Sequence, residues 1–206
     1  MKQHPADVNL KLGPLLAGAV LAFVWGLFSY LHWFAFKATG EWSYLLFCAS
    51  ESLSAVLFLI RSDAITVSDA PIEWTAAISA TFAPFLFAPA AWGLLPQAKL
   101  LIVAGFSFQI VGLISLNRSY GIVPAKRAIK TSGLYRFVRH PLYSSYFISF
   151  SGYLLANTSV ANLVVYVTTM SLLIFRLLRE EQHLAMDPEY RAYMRRVKHR
   201  LVPLIF

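Results

Sequence analysis

Long uninterrupted apolar runs, separated by short polar connections, dominate the pattern of this chain. We place candidate membrane spans at residues 12–36, 42–60, 74–95, 100–116, 142–156 and 160–178. All but the fifth have the length that a helix needs to cross the hydrocarbon core. The strands of a membrane barrel alternate apolar and polar residues over about ten residues, whereas these runs are continuously apolar. Lipid offers no hydrogen-bond partner to backbone groups, and a helix satisfies its own, so helices are favoured over a barrel. The pattern therefore predicts an all-α, polytopic membrane helix bundle of about six spans.

Composition also favours a membrane protein. The 206 residues are 58% hydrophobic and only 14% charged, which is too apolar for an ordinary soluble domain. The first run is longer than the core of a signal peptide and no small-residue cleavage pattern follows it, so we expect it to stay as the first span. The single cysteine, Cys48, lies in an apolar run. A disulfide framework or a thiolate metal cluster is thereby excluded, and we predict no metal site.

Positive charge is concentrated in the second part of the chain. Residues 1–117 have a net charge of −1 and residues 118–206 have +9, mostly in 118–139 and from Arg179 onward. With six spans, both basic segments and both termini lie on the same side of the membrane. Enrichment in lysine and arginine marks that side as cytoplasmic. Topology and anionic lipid headgroups explain this charge, so we expect membrane lipids and no nucleic acid as partners. We expect a multi-pass protein of a prokaryotic inner membrane.

We predict a single membrane domain over residues 1–206, with a four-span scaffold in 1–116 and the chemistry in 117–206. The second part contains a basic loop, a tight hairpin turned at residues 156–159, and an amphipathic tail whose helix breaks at Asp187-Pro188. The tail becomes extended from Leu201. A cationic amphipathic segment of this kind would lie along the membrane surface and could close over the hairpin mouth as a lid.

Polar groups that a bilayer normally excludes gather at the open end of the hairpin. His140 and Tyr143 are three residues apart, so they share a helical face, and Pro141 between them suits the first turn of a helix. A helix start that offers an imidazole, a phenol and free backbone donors suits an anionic or polar ligand group. A lone histidine at the end of a span is nonetheless often only an interfacial side chain.

The other arm of the hairpin carries charges at helical spacing. Arg176, Arg179 and Glu180 share one face, while Glu181 is turned away from Glu180 by about 100°. These charges either satisfy each other, as Arg176 with Glu180, or hold a ligand if they are partly buried. A four-residue turn would bring the ends of both arms together.

Four further side chains have two interpretations each. Glu51 lies inside the second run and is either a functional carboxylate or a neutral group hydrogen-bonded to a neighbouring helix. We predict that His32 is interfacial or packed. Tyr190 and Tyr193 are predicted to anchor the tail at the membrane interface in preference to contacting a ligand.

The chain contains no dinucleotide glycine fingerprint, phosphate loop, paired-histidine zinc motif or Gly-x-Ser-x-Gly elbow. Instead, residues 131–206 resemble the isoprenylcysteine carboxyl methyltransferases and their phospholipid methyltransferase relatives. The resemblance is carried by Arg139-His140-Pro141-Leu142-Tyr143, Arg176-Leu-Leu-Arg-Glu180-Glu181-Gln-His-Leu184, Asp187-Pro-Glu-Tyr190-Arg-Ala-Tyr193 and Arg200-Leu-Val-Pro203-Leu-Ile-Phe206. The order and gaps of these segments make the resemblance more specific than any one motif.

This resemblance implies an S-adenosylmethionine-dependent membrane methyltransferase whose lipophilic substrate enters from the bilayer. The cofactor-binding positions that it implies are Arg139, His140, Pro141, Tyr143, Glu180 and Glu181. Arg176 matches an arginine that positions the reacting group. Ser145 stands where the family usually has a glycine, and its side chain narrows the space beside the cofactor. The family also has a glycine before the tail tyrosine, and its replacement here alters only a turn.

Methyl transfer from a sulfonium is an in-line displacement, so positioning and electrostatics should supply most of the catalysis. Arg176 and Glu180 are therefore the predicted catalytic residues. Arg176 would hold a carboxylate acceptor, whereas Glu180 or Glu51 would take the proton of an amine, which makes Arg176 and Glu51 candidate substrate contacts. A prenylated-protein carboxylate, a phospholipid amine and a small hydrophobic thiol or amine all stay open as acceptors.

Two other functions stay open. A membrane reductase of the sterol-reductase type has a similar His-Pro-x-Tyr hairpin but uses a nicotinamide cofactor, NADPH. The chain is short for that family, and its Glu180-Glu181 pair points to the methyltransferases. A non-catalytic membrane protein or small transporter is the third interpretation, although neither internal repeats nor interrupted midplane helices are evident in the sequence.

Overall fold

The computed structural model describes residues 5–202, with side chains from residue 12 onward. Helices dominate this part of the chain, and the prediction of an all-α membrane helix bundle is confirmed. The α-helices are α1 (Pro5–Thr39), α2 (Ser43–Ile60), α3 (Pro71–Phe82), α4 (Lys99–Leu116), α5 (Pro141–Ala156), α6 (Val160–Leu184) and α7 (Pro188–Arg196). The end of the tail, including the predicted Pro203 segment, lies outside the described residues.

Four helical segments within the described residues are long and apolar enough to cross a membrane. They are Leu12–Thr39, Ser43–Ile60, Pro96–Ser119 and Val160–Leu184. These segments correspond to the predicted first, second, fourth and sixth spans. The fifth run forms α5, whose 16 residues fall short of the roughly 20 that a perpendicular span needs, as its length in the sequence indicated.

The prediction of one helix over residues 74–95 is wrong in its second half. Helix α3 ends at Phe82, a 3₁₀ turn follows over Ala83–Leu86, and the backbone is then non-helical as far as Leu95. Pro84 and Pro89 cause this, because proline has no amide N–H for the helical ladder and its ring clashes with the preceding turn.

The α5–α6 turn and the first turn of α6 supply hydrogen bonds to this non-helical segment. The Asn162 side chain accepts from the Ala88 N–H at 3.1 Å and donates to the Ala88 carbonyl at 2.8 Å. The Thr158 hydroxyl accepts from the Leu94 N–H at 2.9 Å. Lipid cannot satisfy such backbone groups, so non-helical chain at membrane depth needs partners of this kind from the protein.

The chain divides into two compact units. Described residues up to Asp63, with Asn117–Tyr120, form the first unit, and Ala64–Leu116 with the chain from Gly121 onward form the second. The sequence predicted a single domain with two parts that divide at residue 116. That division differs from these two units and stays a prediction. In the first unit α1 packs on α2, where Trp25 meets the Phe58 ring edge to face at 5.1 Å.

Helix pairs α4–α5 and α3–α6 organise the second unit. Glycine lets α4 and α5 approach closely, since a Cβ on Gly105 would lie only 2.7 Å from the backbone N of Ser149. Small residues often have this role in membrane proteins, because they let two helix backbones approach closely and make van der Waals contact. Strands β1 (Thr66–Val67) and β2 (Ala125–Lys126) add a short antiparallel pair, with Thr66 opposite Lys126.

The hairpin that carries the predicted chemistry has the expected geometry. Pro141 is the first residue of α5, and His140 precedes it in a non-helical conformation. Helix α5 ends at Ala156, and α6 begins after Ser159, whose hydroxyl accepts from the Asn162 N–H at 3.1 Å. Because a short turn makes the two helices antiparallel, the start of α5 and the end of α6 lie at the same end of the hairpin.

Candidate active site at the hairpin mouth

A buried carboxylate is the centre of the polar groups at the hairpin mouth. Glu181, which is 4% exposed, accepts hydrogen bonds from Arg139 Nε at 2.6 Å and His140 Nε2 at 3.1 Å through Oε1. Its Oε2 accepts from Arg200 Nε at 2.7 Å. Arg139 and His140 are themselves only 6% and 5% exposed. We call Glu181, Arg139, His140 and Arg200 the Glu181 cluster.

Arg139 also holds the tail against the start of α5. Its Nη1 donates to the carbonyls of Val197 at 2.9 Å and Lys198 at 2.8 Å. The Ser144 hydroxyl donates to the Leu201 carbonyl at 2.6 Å. The backbone N–H groups of Arg139 and His140 continue this pairing with the carbonyls of His199 and Arg200, each at 2.9 Å. The tail therefore lies at the hairpin mouth, and its predicted role as a lid stays a prediction.

The second carboxylate, Glu180, has a different environment. It is half-buried, and its Oε2 accepts a hydrogen bond from the buried Tyr143 hydroxyl at 2.7 Å. The Arg176 guanidinium lies over the Tyr143 ring at 5.5 Å and donates to the Gly121 carbonyl at 3.2 Å. The His140 ring meets the Tyr143 ring edge to face, at 5.5 Å between centroids. Glu180, Tyr143 and Arg176 thus form a second group beside the Glu181 cluster.

The hairpin therefore brings the predicted cofactor and catalytic positions together. Those at its mouth are Arg139, His140, Pro141, Tyr143, Arg176, Glu180 and Glu181. Their individual roles stay predictions. Ser145, the departure from the usual glycine, is fully buried and its hydroxyl donates to the Leu142 carbonyl at 2.6 Å, so the hydroxyl is bound to its own helix.

Glu51 lies in the first unit. Its Oε2 is 2.7 Å from His32 Nδ1, and the hydroxyls of Ser29 and Ser52 form a neighbouring hydrogen bond at 2.7 Å between the same two helices. The His32 ring also packs against Phe47, at 5.1 Å between centroids. Of the two interpretations of Glu51, the structure shows the hydrogen bond to a neighbouring helix; the substrate contact stays a prediction.

The prediction that Tyr190 and Tyr193 anchor the tail at the membrane interface is wrong. Both side chains are buried within the second unit, where they form a cluster with Val197. Burial raises the pKa of both phenols. The amphipathic face of α7 is therefore covered by protein, chiefly by Ile129 and Leu184, and does not face lipid.

The start of α7 is fixed by a polar contact. The Asp187 side chain accepts from the Glu189 N–H at 2.7 Å as the N-cap of the helix, and it pairs with Lys126 on β2. The hydrogen bond from Lys126 lowers the pKa of the Asp187 carboxyl. This contact connects the basic loop to the tail helix.

Sequence reasoning assigned no role to Arg200 or Lys126. Arg200 lies 19 residues after Glu181, and Lys126 lies far from Asp187 along the chain, so neither pair shows a helical spacing. The one available signal for Arg200 was its place in the tail motif Arg200-Leu-Val-Pro203.

Most of this site lies in a region of the chain that matches a known protein family. The model of the phospholipid methyltransferase family matches residues 97–187, which include α4, both arms of the hairpin and all charged residues of its mouth except Arg200. No curated protein matches the chain. Over residues 97–187 the chain therefore matches the phospholipid methyltransferase family, and the resemblance that its hairpin motifs indicated is confirmed.

Proposed function

We propose that the protein is an integral membrane methyltransferase that uses S-adenosylmethionine to methylate a lipophilic acceptor. The proposal rests on the region that matches the family, which covers both arms of the hairpin. The charged side chains come together at the mouth of this hairpin. In the proposed orientation, this mouth faces the cytoplasm, where the cofactor is found, and the acceptor enters from the bilayer.

The residues at the mouth fit this cofactor. S-adenosylmethionine would supply an electrophilic methyl group on a positively charged sulfur. Glu180 is half-buried and holds one hydrogen bond from Tyr143, while a carboxylate can accept about four, so it can still attract a cationic or hydroxyl group. Glu181 has both oxygens bound to side chains of the protein, which suits it to holding Arg139 and His140 in place.

Arg176 is suited to holding the acceptor. Its guanidinium is positioned by the Tyr143 ring and the Gly121 carbonyl, one helical turn before Glu180. A guanidinium binds a carboxylate through two parallel hydrogen bonds, which orients a carboxylate oxygen without a base. An amine acceptor must instead lose a proton, and Glu180 would take it. The matching family is named for phospholipids, so a phospholipid amine is the first acceptor to test.

Calorimetric titration with S-adenosylhomocysteine tests the cofactor. Detergent-purified protein should bind it, and Glu180→Gln should weaken binding about tenfold or more, because a hydrogen bond to a charged group contributes about 1.5–3 kcal/mol. Glu189→Gln is the matched control, since Glu189 is an exposed glutamate on α7 and should bind like the wild type. His140→Ala should also weaken binding.

Failure of the folded wild type to bind would contradict the proposal, and binding of NADPH in its place would favour the reductase. For the acceptor, release of S-adenosylhomocysteine is measured with phosphatidylethanolamine micelles and with a prenylated cysteine. Methylation of the amine but not the carboxylate assigns the lipid acceptor, and the opposite result assigns the isoprenylcysteine-like one. No turnover with either lipophilic acceptor, by protein that binds the cofactor, would contradict that part of the proposal.

A further inference from the structure

Two tyrosines of α7 are buried to a similar degree but differ in their hydrogen bonds. Tyr193, 2% exposed, donates from its hydroxyl to the Tyr135 carbonyl at 2.6 Å. Tyr190, 4% exposed, has a buried hydroxyl with no hydrogen-bond partner in the part of the chain that the structure describes. Most buried polar atoms in proteins are hydrogen-bonded, because a buried polar atom without a partner destabilises the folded state. The Tyr190 hydroxyl therefore calls for a partner that the described residues do not supply.

The surroundings of Tyr190 place it beside the hairpin mouth. Its ring packs on Tyr193, with centroids 5.6 Å apart, and the cluster also contacts Leu184 at the end of α6. The negative charges of Glu181 and Glu180 act on the phenol and, after burial itself, are the largest causes that raise its pKa. The phenol is hydrogen-bonded to neither carboxylate, and it stays protonated and able to donate. Leu184, which contacts the cluster, lies one helical turn after Glu180 on α6.

We infer that the Tyr190 hydroxyl is a cofactor-binding group, which donates a hydrogen bond to a polar acceptor of the nucleoside cofactor held next to Glu180. The inference rests on the proposed function. It adds a residue of α7 to a site built from the hairpin mouth and Arg200. Tyr190 lies beyond the region that matches the family, which ends at residue 187. The ligand would supply the partner that the buried hydroxyl lacks.

Two substitutions that each remove a single hydroxyl test the inference. Tyr190→Phe and Tyr193→Phe keep both rings on the same helix, so only the hydrogen bonds differ. In the absence of ligand, Tyr190→Phe should leave Tm unchanged or raise it, since it removes an unpaired polar atom. Tyr193→Phe should lower Tm, because the Tyr135 carbonyl loses its donor.

Binding of S-adenosylhomocysteine should show the opposite pattern. At a temperature where both variants are folded, calorimetry should give a Kd about fivefold weaker for Tyr190→Phe, the effect of one neutral hydrogen bond, and an unchanged Kd for Tyr193→Phe. Wild-type affinity in Tyr190→Phe overturns the inference and leaves the proposed function intact. A drop in Tm without ligand as large as that of Tyr193→Phe also overturns it, since the hydroxyl then has a structural partner such as a bound water. Absence of binding by the wild type overturns both proposals.

Discussion

At the scale of single residues, Glu180 and Glu181 are neighbours in α6 with different partners. Successive residues of a helix point about 100° apart, so the two carboxylates face different sides of the hairpin mouth. Glu181 neutralises the buried Arg139 and also binds His140 and Arg200, whereas Glu180 accepts from the Tyr143 phenol. One side chain therefore holds the site together, and the other is placed to meet a ligand.

We expect Glu181→Gln to destabilise the protein by about 3–5 kcal/mol, because an amide leaves the nearly buried Arg139 charge without a carboxylate. Glu180→Gln should cost about 1 kcal/mol or less, since its amide oxygen can still accept from Tyr143. Thermal unfolding of both variants in one detergent measures the difference. Equal shifts in Tm would show that the Glu181 cluster contributes little to stability.

At the scale of elements, the segment after α3 is a non-helical part of a predicted span. It contains prolines, and its backbone groups are bound by side-chain and backbone groups at the end of α5, in the α5–α6 turn and in the first turn of α6. Asn162, only 1% exposed, is central to this, because one amide group satisfies both backbone groups of Ala88 and also donates to the Asn157 carbonyl at 2.7 Å. The segment depends on α6 for its conformation.

Asn162→Leu should destabilise the second unit by at least about 2 kcal/mol. Leucine has a similar volume but leaves the Ala88 N–H and C=O unpaired, and each buried unpaired group costs about 1–3 kcal/mol. Thr168→Ala, an exposed position on the same helix, should stay within about 0.5 kcal/mol of the wild type. The measurement is Tm in detergent, and equal shifts for the two variants would refute the role given to Asn162.

At the scale of the whole molecule, stability should depend on pH through the tyrosines that surround the tail. Burial raises the pKa of Tyr135, Tyr190 and Tyr193, whereas an unfolded chain ionises its tyrosines near pH 10. The folded state therefore binds more protons than the unfolded state above that pH. Stability contributed by these phenols is fully present below about pH 10 and is lost as pH rises towards their folded pKa values.

A series of Tm measurements from pH 8 to pH 11.5 should show a steep fall above about pH 10. Tyr193→Phe should make the fall shallower, because one phenol that releases its proton on unfolding is gone. Tyr30→Phe, an exposed tyrosine of the first unit, is the comparison variant and should keep the wild-type slope. A Tm that is constant over this range would contradict the prediction.

The apolar runs of the sequence predicted α1, α2, α4 and α6, because a helix in lipid satisfies its own backbone and needs only a long enough apolar stretch. The hairpin turn was also predictable, since Pro141 can start a helix and the polar residues 156–159 interrupt the apolar pattern. Helical spacing turned Glu181 away from Glu180. These are local properties of the chain. His140 and Tyr143 do meet, as predicted, but His140 precedes the helix, so helical spacing is not the cause.

Contacts between distant residues were decided only by the tertiary structure. The pairing of Glu181 with Arg200, the burial of Tyr190, the hydrogen bond between Glu51 and His32, and the binding of Ala88 by Asn162 each join residues that share no local period. A proline in an apolar run marks a disruption, but whether a helix bends or ends there depends on partners elsewhere in the fold. The sequence by itself thus determined the helices and the face that carries the chemistry, and packing determined which of those side chains pair with each other and which stay available to a ligand.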